Sequence, residues 1–318
     1  MTEEGVLKMT GEKESGLKIG KSSAKINLDA LSMDIVVDDV CFSYGKGNSS
    51  VPVFRDLVLD IHGPQLVSII GPNGVGKSTL IHCMNKILQP TEGCVYVGGM
   101  DVSKIDGKSL AKVIGYVPYT SSDSFPLNVT ETVLMGRFPH SKWGSSGKDL
   151  EIVESVLKLL NIEDLALRSF NELSAGQHQK VMLARGLAQE PKILLLDEPT
   201  SNLDVRYQVE ITRILRDLAH DRGIIIIMIS HDINIAAKYS DNMIMLKNGG
   251  IYAVGKPSDV VTEDNIRFVY EIGCKVIDDN GRPHVILIDE NDKSPEYCGD
   301  HFVVDCLDYD KSRTQAND

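Results

Sequence analysis

The sequence predicts an α/β protein built on a parallel sheet, and three observations carry that prediction. Residues 193–196 form an unbroken apolar run that ends in two acids, Asp197 and Glu198. Residues 224–229 form a second such run, ending in Ser230-His231-Asp232. Runs without polar alternation read as strands buried on both faces, as in parallel sheets, whose carboxyl ends are where ligands bind. The third observation is a glycine-rich segment, Gly71 to Thr79, set between a strand-like run at 66–70 and a helix-like run at 79–88.

The other elements follow in order. Residues 1–32 are polar, mix glutamates with lysines and are expected to be a flexible segment ahead of a domain at 33–257. From Asp34 to Asp60 the alternation of Ile35, Val37, Val40 and Phe42, then Val53, Leu57 and Leu59, predicts antiparallel strands around a loop at 45–50. A turn at Gly93 leads into 94–97 and continues that β-layer. Apart from a strand at 113–117, the stretch from about 106 to 185 is expected to be an α-helical arm. Leu150, Val153, Val156, Leu157 and Leu160 recur there at helical spacing. A helix is also predicted through Val205, Val209, Leu215 and Leu218, before the Gly223 turn. Lys247-Asn248-Gly249-Gly250 then joins strands at 243–246 and 251–254 as a hairpin. Residues 258–318 form a C-terminal extension with a helix at 262–272, a hairpin around Asp278-Asp279-Asn280-Gly281, and an acidic tail that either packs or stays mobile.

Gly71-Pro72-Asn73-Gly74-Val75-Gly76-Lys77-Ser78-Thr79 matches the pattern G-x-x-x-x-G-K-[ST]. A polyphosphate carries dense negative charge. Glycines let backbone N–H groups turn inward without Cβ obstruction, and the following helix N-terminus adds positive potential. The segment therefore predicts a nucleotide site, with Lys77 reaching the β- and γ-phosphates and the Ser78 hydroxyl on Mg²⁺. Asp197 is placed to hold the same ion, directly or through water, and Glu198 to polarise the attacking water.

Leu173-Ser174-Ala175-Gly176-Gln177 resembles the L-S-G-G-Q signature of the ATP-binding-cassette (ABC) ATPases, with Ala175 in place of a glycine and His178 where arginine is common. The resemblance implies a P-loop core with an antiparallel β-subdomain and an α-helical subdomain, ATP and Mg²⁺ as cofactors, and ATP hydrolysis. It further implies that Ser174, Gly176 and Gln177 serve the nucleotide of an opposite copy, so two sites need a dimer, with two-fold pairing as the default. Asp204, in Ser201-Asn202-Leu203-Asp204, matches the loop that crosses that interface. His231 matches the switch histidine that touches the γ-phosphate and orients Glu198. Tyr44, in Phe42-Ser43-Tyr44-Gly45, matches the ring that stacks on adenine. After the strand at 113–117 the family has a glutamine near Mg²⁺. Here Tyr119 offers a hydroxyl but no amide, which leaves its place among the metal ligands open.

The resemblance is closest to ATPase subunits of importers for ferric siderophores, haem and cobalamin, over roughly 35–288. The segment Gly136-Arg137-Phe138-Pro139-His140 and the single cassette carry it. It implies integral membrane permease subunits as partners, an extracytoplasmic substrate-binding protein further out, and a cytoplasmic place on the inner face of the membrane. The alternatives are a soluble ABC ATPase of translation, DNA maintenance or cluster assembly, or the ATPase of a different importer or exporter. Composition bears on these. A formal charge of −12 argues against nucleic acid as a partner, and no run approaches the ~20 apolar residues of a membrane span. The six cysteines show no metal-binding spacing and are expected to be reduced thiols.

Overall fold

The structure, a computed structural model, describes residues 34–45, 47–119, 127–140 and 146–288. The expected flexible start, the acidic tail with Cys298 and Cys306, and part of the 45–50 loop lie outside the described residues. The chain opens with β1 (Asp34–Tyr44), β2 (Val51–His62) and β3 (Gln65–Ile70). Next come α1 (Lys77–Met84), β4 (Glu92–Val97), β5 (Met100–Asp101), α2 (Gly107–Leu110) and β6 (Ile114–Val117). The helical part holds α3 (Val129–Leu134), α4 (Gly147–Leu159) and α5 (Ala175–Ala188). Then follow β7 (Ile193–Leu196), α6 (Val205–Asp221), β8 (Ile225–Ile229), α7 (Ile233–Tyr239), β9 (Asn242–Lys247) and β10 (Gly250–Gly255). A final unit contains α8 (Pro257–Val260), α9 (Glu263–Tyr270), β11 (Cys274–Asp279) and β12 (Arg282–Leu287).

The central sheet has six strands in the order β10-β9-β3-β8-β7-β6. Its inner pairs run parallel, and only the β9–β10 hairpin is antiparallel. Successive residues of its buried strands enter different cores, which explains the absence of polar alternation in the sequence. Ile193 and Leu195 join a cluster with the antiparallel layer of β1, β2 and β4 and with α1. Leu194 and Leu196 join a cluster with α3 to α6. The chain thus has a sheet sandwiched between a β-layer and a helical layer. Within the stretch expected to be the arm, Ile114–Val117 belongs to the central sheet as the neighbour of β7.

The segment singled out at 136–140 proves to be a buried junction of the helical layer. A Cβ on Gly136 would stand 2.2 Å from the Arg185 carbonyl oxygen, so only glycine lets the two backbones approach there. Arg137 is buried. Its guanidinium donates to Asp149 Oδ1 at 3.0 Å, to the Ala188 carbonyl at 2.6 Å and to Glu190 Oε2 at 2.7 Å. His140 Nε2 bonds the Gln189 carbonyl at 2.9 Å. Phe138, by contrast, is exposed. Arg137 fastens the segment to α4 and to the end of α5.

Backbone donation from Ser146 and the Arg137 guanidinium pull the Asp149 carboxyl down to about 2. A carboxyl whose folded pKa lies below its ordinary value of 3.8 stabilises the fold above that value, and the contribution is lost as pH falls toward 2. Acid titration of thermal stability should therefore be shallower between pH 4 and 2 in Asp149→Asn than in the wild type. Parallel curves would show that Asp149 contributes nothing to the acid limb.

Candidate active site

Three parallel strands end in line and deliver the predicted groups to one edge. β3 leads into Gly71, β7 into Asp197 and Glu198, and β8 into Ser230 and His231. Gly71 takes φ +146°, and a Cβ there would meet the Leu246 carbonyl oxygen at 2.5 Å. Gly76, at φ +103°, caps the N-terminus of α1 and would drive a Cβ to 2.6 Å from Val53 Cγ1. Both positions require glycine. Between them the loop residues Pro72, Asn73 and Gly74 border a cleft of about 1250 Å³ at the start of α1.

Lys77 is buried, and its ammonium donates to the Gly71 and Pro72 carbonyls at 2.8 and 2.9 Å. Burial lowers its pKa, against the opposing charges of Glu198 and Asp197. Ser78 Oγ donates to Asp197 Oδ1 at 3.0 Å. Burial raises the Asp197 carboxyl, and the Ser78 hydrogen bond opposes that shift. A hydroxyl and a carboxylate side by side are hard oxygen donors of the kind Mg²⁺ takes. Among the described residues no group of three or more His, Cys, Asp or Glu could hold a metal alone. That donor set fits an ion bound through one or two protein oxygens plus phosphate and water.

Glu198 has a left-handed backbone at φ 50°. Its two oxygens are held from opposite directions: Oε2 accepts from Ser201 Oγ at 2.9 Å, and Oε1 lies 2.5 Å from His231 Nε2. Tyr44 stands half-exposed at the cleft wall, edge-on to Phe42 at 4.9 Å, with its hydroxyl 3.2 Å from Thr79 Oγ1. The fold thus brings Tyr44, the loop from Pro72 to Thr79, Asp197, Glu198, His231 and Tyr119 to one cleft.

Other predicted residues sit elsewhere on the chain. Ser174 is the N-cap of α5 and forms a reciprocal capping box with Gln177. Gly176 presses on Tyr207, 2.8 Å from the place of a Cβ. Asp204 caps α6 by accepting from the Tyr207 N–H at 3.0 Å. None of these four lines the cleft of its own chain. Tyr119 lines it, but its hydroxyl accepts from Asn202 Nδ2 at 3.0 Å.

Sequence reasoning missed a second tyrosine. Tyr116, on β6, bonds His82 Nε2 at 2.9 Å, and burial with the nearby Asp197 charge pushes its phenol up to about 12. It also missed the part that the β9–β10 turn and the end of α9 play as cleft walls, through Lys247, Asn248, Gly249, Tyr270 and Glu271. The turn carried a signal only as a hairpin.

A phosphate-type loop, a strand-end acid pair and a histidine on the neighbouring strand define a P-loop nucleotide-binding ATPase cassette. The family described as ABC transporter matches residues 54–201. The chain is 44% identical over 256 residues to an uncharacterized ABC transporter ATP-binding protein of Methanocaldococcus jannaschii, covering 80% of this chain and 98% of that one. It is 34% identical to the ferric enterobactin transport ATP-binding protein of Escherichia coli, covering 78% and 92% of the two chains. Among solved structures, a dimeric ATP-binding cassette in a post-hydrolysis state with ADP and Pi superimposes with TM-score 0.63 at 30% identity, over 70% of this chain and 98% of that one. The chain belongs to the ATP-binding subunits of ABC transporters. Among the described residues no helix is long and apolar enough to cross a membrane.

Two outcomes test the geometry. Lys77→Ala should weaken ATP binding about 10- to 100-fold, the scale of a lost charge-assisted hydrogen bond, while leaving the fold intact. Calorimetric titration with ATP reads this, and unchanged affinity would remove Lys77 from the phosphate site. Tyr119→Phe should hydrolyse ATP within about twofold of the wild type at every Mg²⁺ concentration, because a neutral phenol is a poor ligand for an ion that prefers carboxylate and phosphate oxygens. A steep loss that extra Mg²⁺ relieves would instead put the phenol on the metal.

Proposed function

We propose that this chain is the energy-coupling ATPase of an importer for metal chelates of the ferric siderophore, haem or cobalamin kind. Two copies bind two ATP molecules, close on one another, hydrolyse them and drive integral membrane permease subunits. The permeases receive cargo from an extracytoplasmic binding protein. In this reading the chain lies in the cytoplasm, held to the inner face of the membrane through its permeases. The observation that carries the dimeric site is its split character. Ser174, Gly176 and Gln177 lie outside the cleft that holds the phosphate loop, at the N-terminus of α5, whose uncharged cap suits an anion brought by a second copy, and Asp204 lies outside it at the start of α6. The ferric siderophore member of that cargo class is supported by the likeness to the ferric enterobactin transport protein.

In the proposed mechanism Lys77 turns from the loop carbonyls to the β- and γ-phosphates, and the loop N–H groups cradle the same oxygens. Ser78 and Asp197 would hold Mg²⁺, which when bound would neutralise charge developing on the phosphates. Glu198 takes a proton from the attacking water. His231 and Ser201 fix the two carboxylate oxygens so that the base does not have to reorganise. Tyr44 supplies a face for the adenine ring.

Glu198→Gln keeps the shape of the base and removes its proton affinity, so hydrolysis should fall about 10²- to 10⁴-fold while ATP still binds. Size-exclusion chromatography with saturating ATP and Mg²⁺ should then show a dimer. A monomer with both sites filled would end the sandwich proposal. Purification of the native complex with an integral membrane protein tests the transporter assignment.

A further inference from the structure

Residues 257–287 lie beyond the span of the family match, yet they pack against elements that carry both the phosphate loop and His231. On one side they support the phosphate loop. Ile70, the residue before Gly71, is fully buried in a cluster with Val260, Val261, Ile266 and Val269 of α8, α9 and their junction. Tyr270 closes α9, packs against the same cluster and lines the cleft beside the phosphate loop. Lys247, on the β9 strand that flanks Gly71, donates to the Phe268 carbonyl, lies 4.1 Å from the Phe268 ring centre and pairs with Glu271 at 3.3 Å. These contacts seat the end of α9 against the base of the loop.

On the other side the hairpin grips the helix that follows His231. Asn234 lies on α7, three residues after the histidine. Its amide is used at both ends by one residue: Nδ2 donates to the Val285 carbonyl at 3.1 Å, and Oδ1 accepts the Val285 N–H at 2.7 Å. A double bond of that kind fixes both position and rotation of the side chain. At the far end of α7, Arg282 Nη1 donates to the Ser240 carbonyl at 2.6 Å. Lys238 pairs with Asp279 at 3.1 Å. β11 and β12 thus hold α7 at its start and its finish.

We propose that the C-terminal helix and hairpin form a brace that sets the separation of the phosphate loop from His231. Tyr270 is a positioning residue for the loop and Asn234 a positioning residue for the histidine. This rests on the reading of the cleft as an ATPase site. The two jobs are separable in kinetics. A loosened loop grips ATP less well in the ground state and the transition state alike, which raises KM and leaves kcat. A histidine displaced from Glu198 spoils only the hydrolytic step, where misplacement by about 1 Å costs on the order of 10² in rate.

The test uses the purified full-length chain and steady-state hydrolysis, with direct binding of a fluorescent ATP analogue alongside. Tyr270→Phe keeps the partly buried ring and removes only the hydroxyl beside the loop. It should raise KM and the analogue Kd together by about 3- to 10-fold, the scale of one lost hydrogen bond, with kcat within about twofold. Asn234→Ala should lower kcat about 10- to 100-fold with KM and the analogue Kd within about twofold. If Asn234→Ala does not fold, Asn234→Asp takes its place. It keeps the acceptor for the Val285 N–H, sets a carboxylate against the Val285 carbonyl and should show the same loss confined to kcat. Variants that match the wild type, or that lose kcat and affinity in equal proportion to a drop in thermal stability, would overturn the brace. A wild-type chain that neither binds the analogue nor hydrolyses ATP would instead overturn the reading of the cleft.

Discussion

The cleft depends on the parallel register of three adjacent strands. β3 pairs with β8 from Gln65 opposite Ile225 to Ile69 opposite Ile229, and β7 pairs with β8 from Ile193 opposite Ile225 to Leu196 opposite Met228. All three finish at one edge of the sheet, each within a residue of its neighbour. Parallel strands cannot be joined by a short turn, so each must leave that edge through a loop that feeds a helix. The loops after these strands carry Gly71 to Gly76, Asp197 with Glu198, and His231. Shifting one strand by a single residue would turn its apolar side chains into the wrong core and carry its polar group off the common edge. The apolar monotony of these strands and the chemistry at their ends are therefore one requirement.

The charges gathered there are held in an environment that disfavours them. Burial lowers Lys77 and raises Asp197, so each is drawn toward its neutral form even though they attract one another. The protein tolerates this because the groups satisfy neighbours at hand, Lys77 the carbonyls of its own loop and Asp197 the Ser78 hydroxyl. An incoming polyanion with its counter-ion brings charge of both signs, and the same desolvation then strengthens each contact.

What the sequence made legible were groups whose partners lie in a short motif or whose strand is apolar throughout. The phosphate loop, Asp197, Glu198 and His231 were legible as groups at strand ends, and the antiparallel layer followed from alternation, whereas the number and order of the six central strands did not. Pairings set only by tertiary packing were not legible. Nothing near Tyr116 in the chain points to His82, which meets it across the β6–α1 contact. The bond from Asn202 to Tyr119 spans 83 positions. Arg137 read as part of a recognisable segment, but its role came from Asp149, Ala188 and Glu190, two of them more than 50 residues on. The end of α9 gave no hint of the cleft because its apolar spacing records only the face packed on Ile70 and α8.

Glu198 carries a further consequence through its backbone. At φ 50° it occupies a conformation that glycine and asparagine adopt with little penalty and that a glutamate holds at a cost of roughly 1 kcal/mol or more. Selection for robustness alone would replace it, since a residue at ease in that region would make the turn after β7 more secure. Glu190 and Glu271 hold the same backbone region elsewhere, so what sets Glu198 apart is that its strained turn ends a strand at the cleft. A stability screen that replaced residue 198 with glycine or asparagine would ease that turn, and on the proposed reading it would do so at the cost of the base that takes the water's proton.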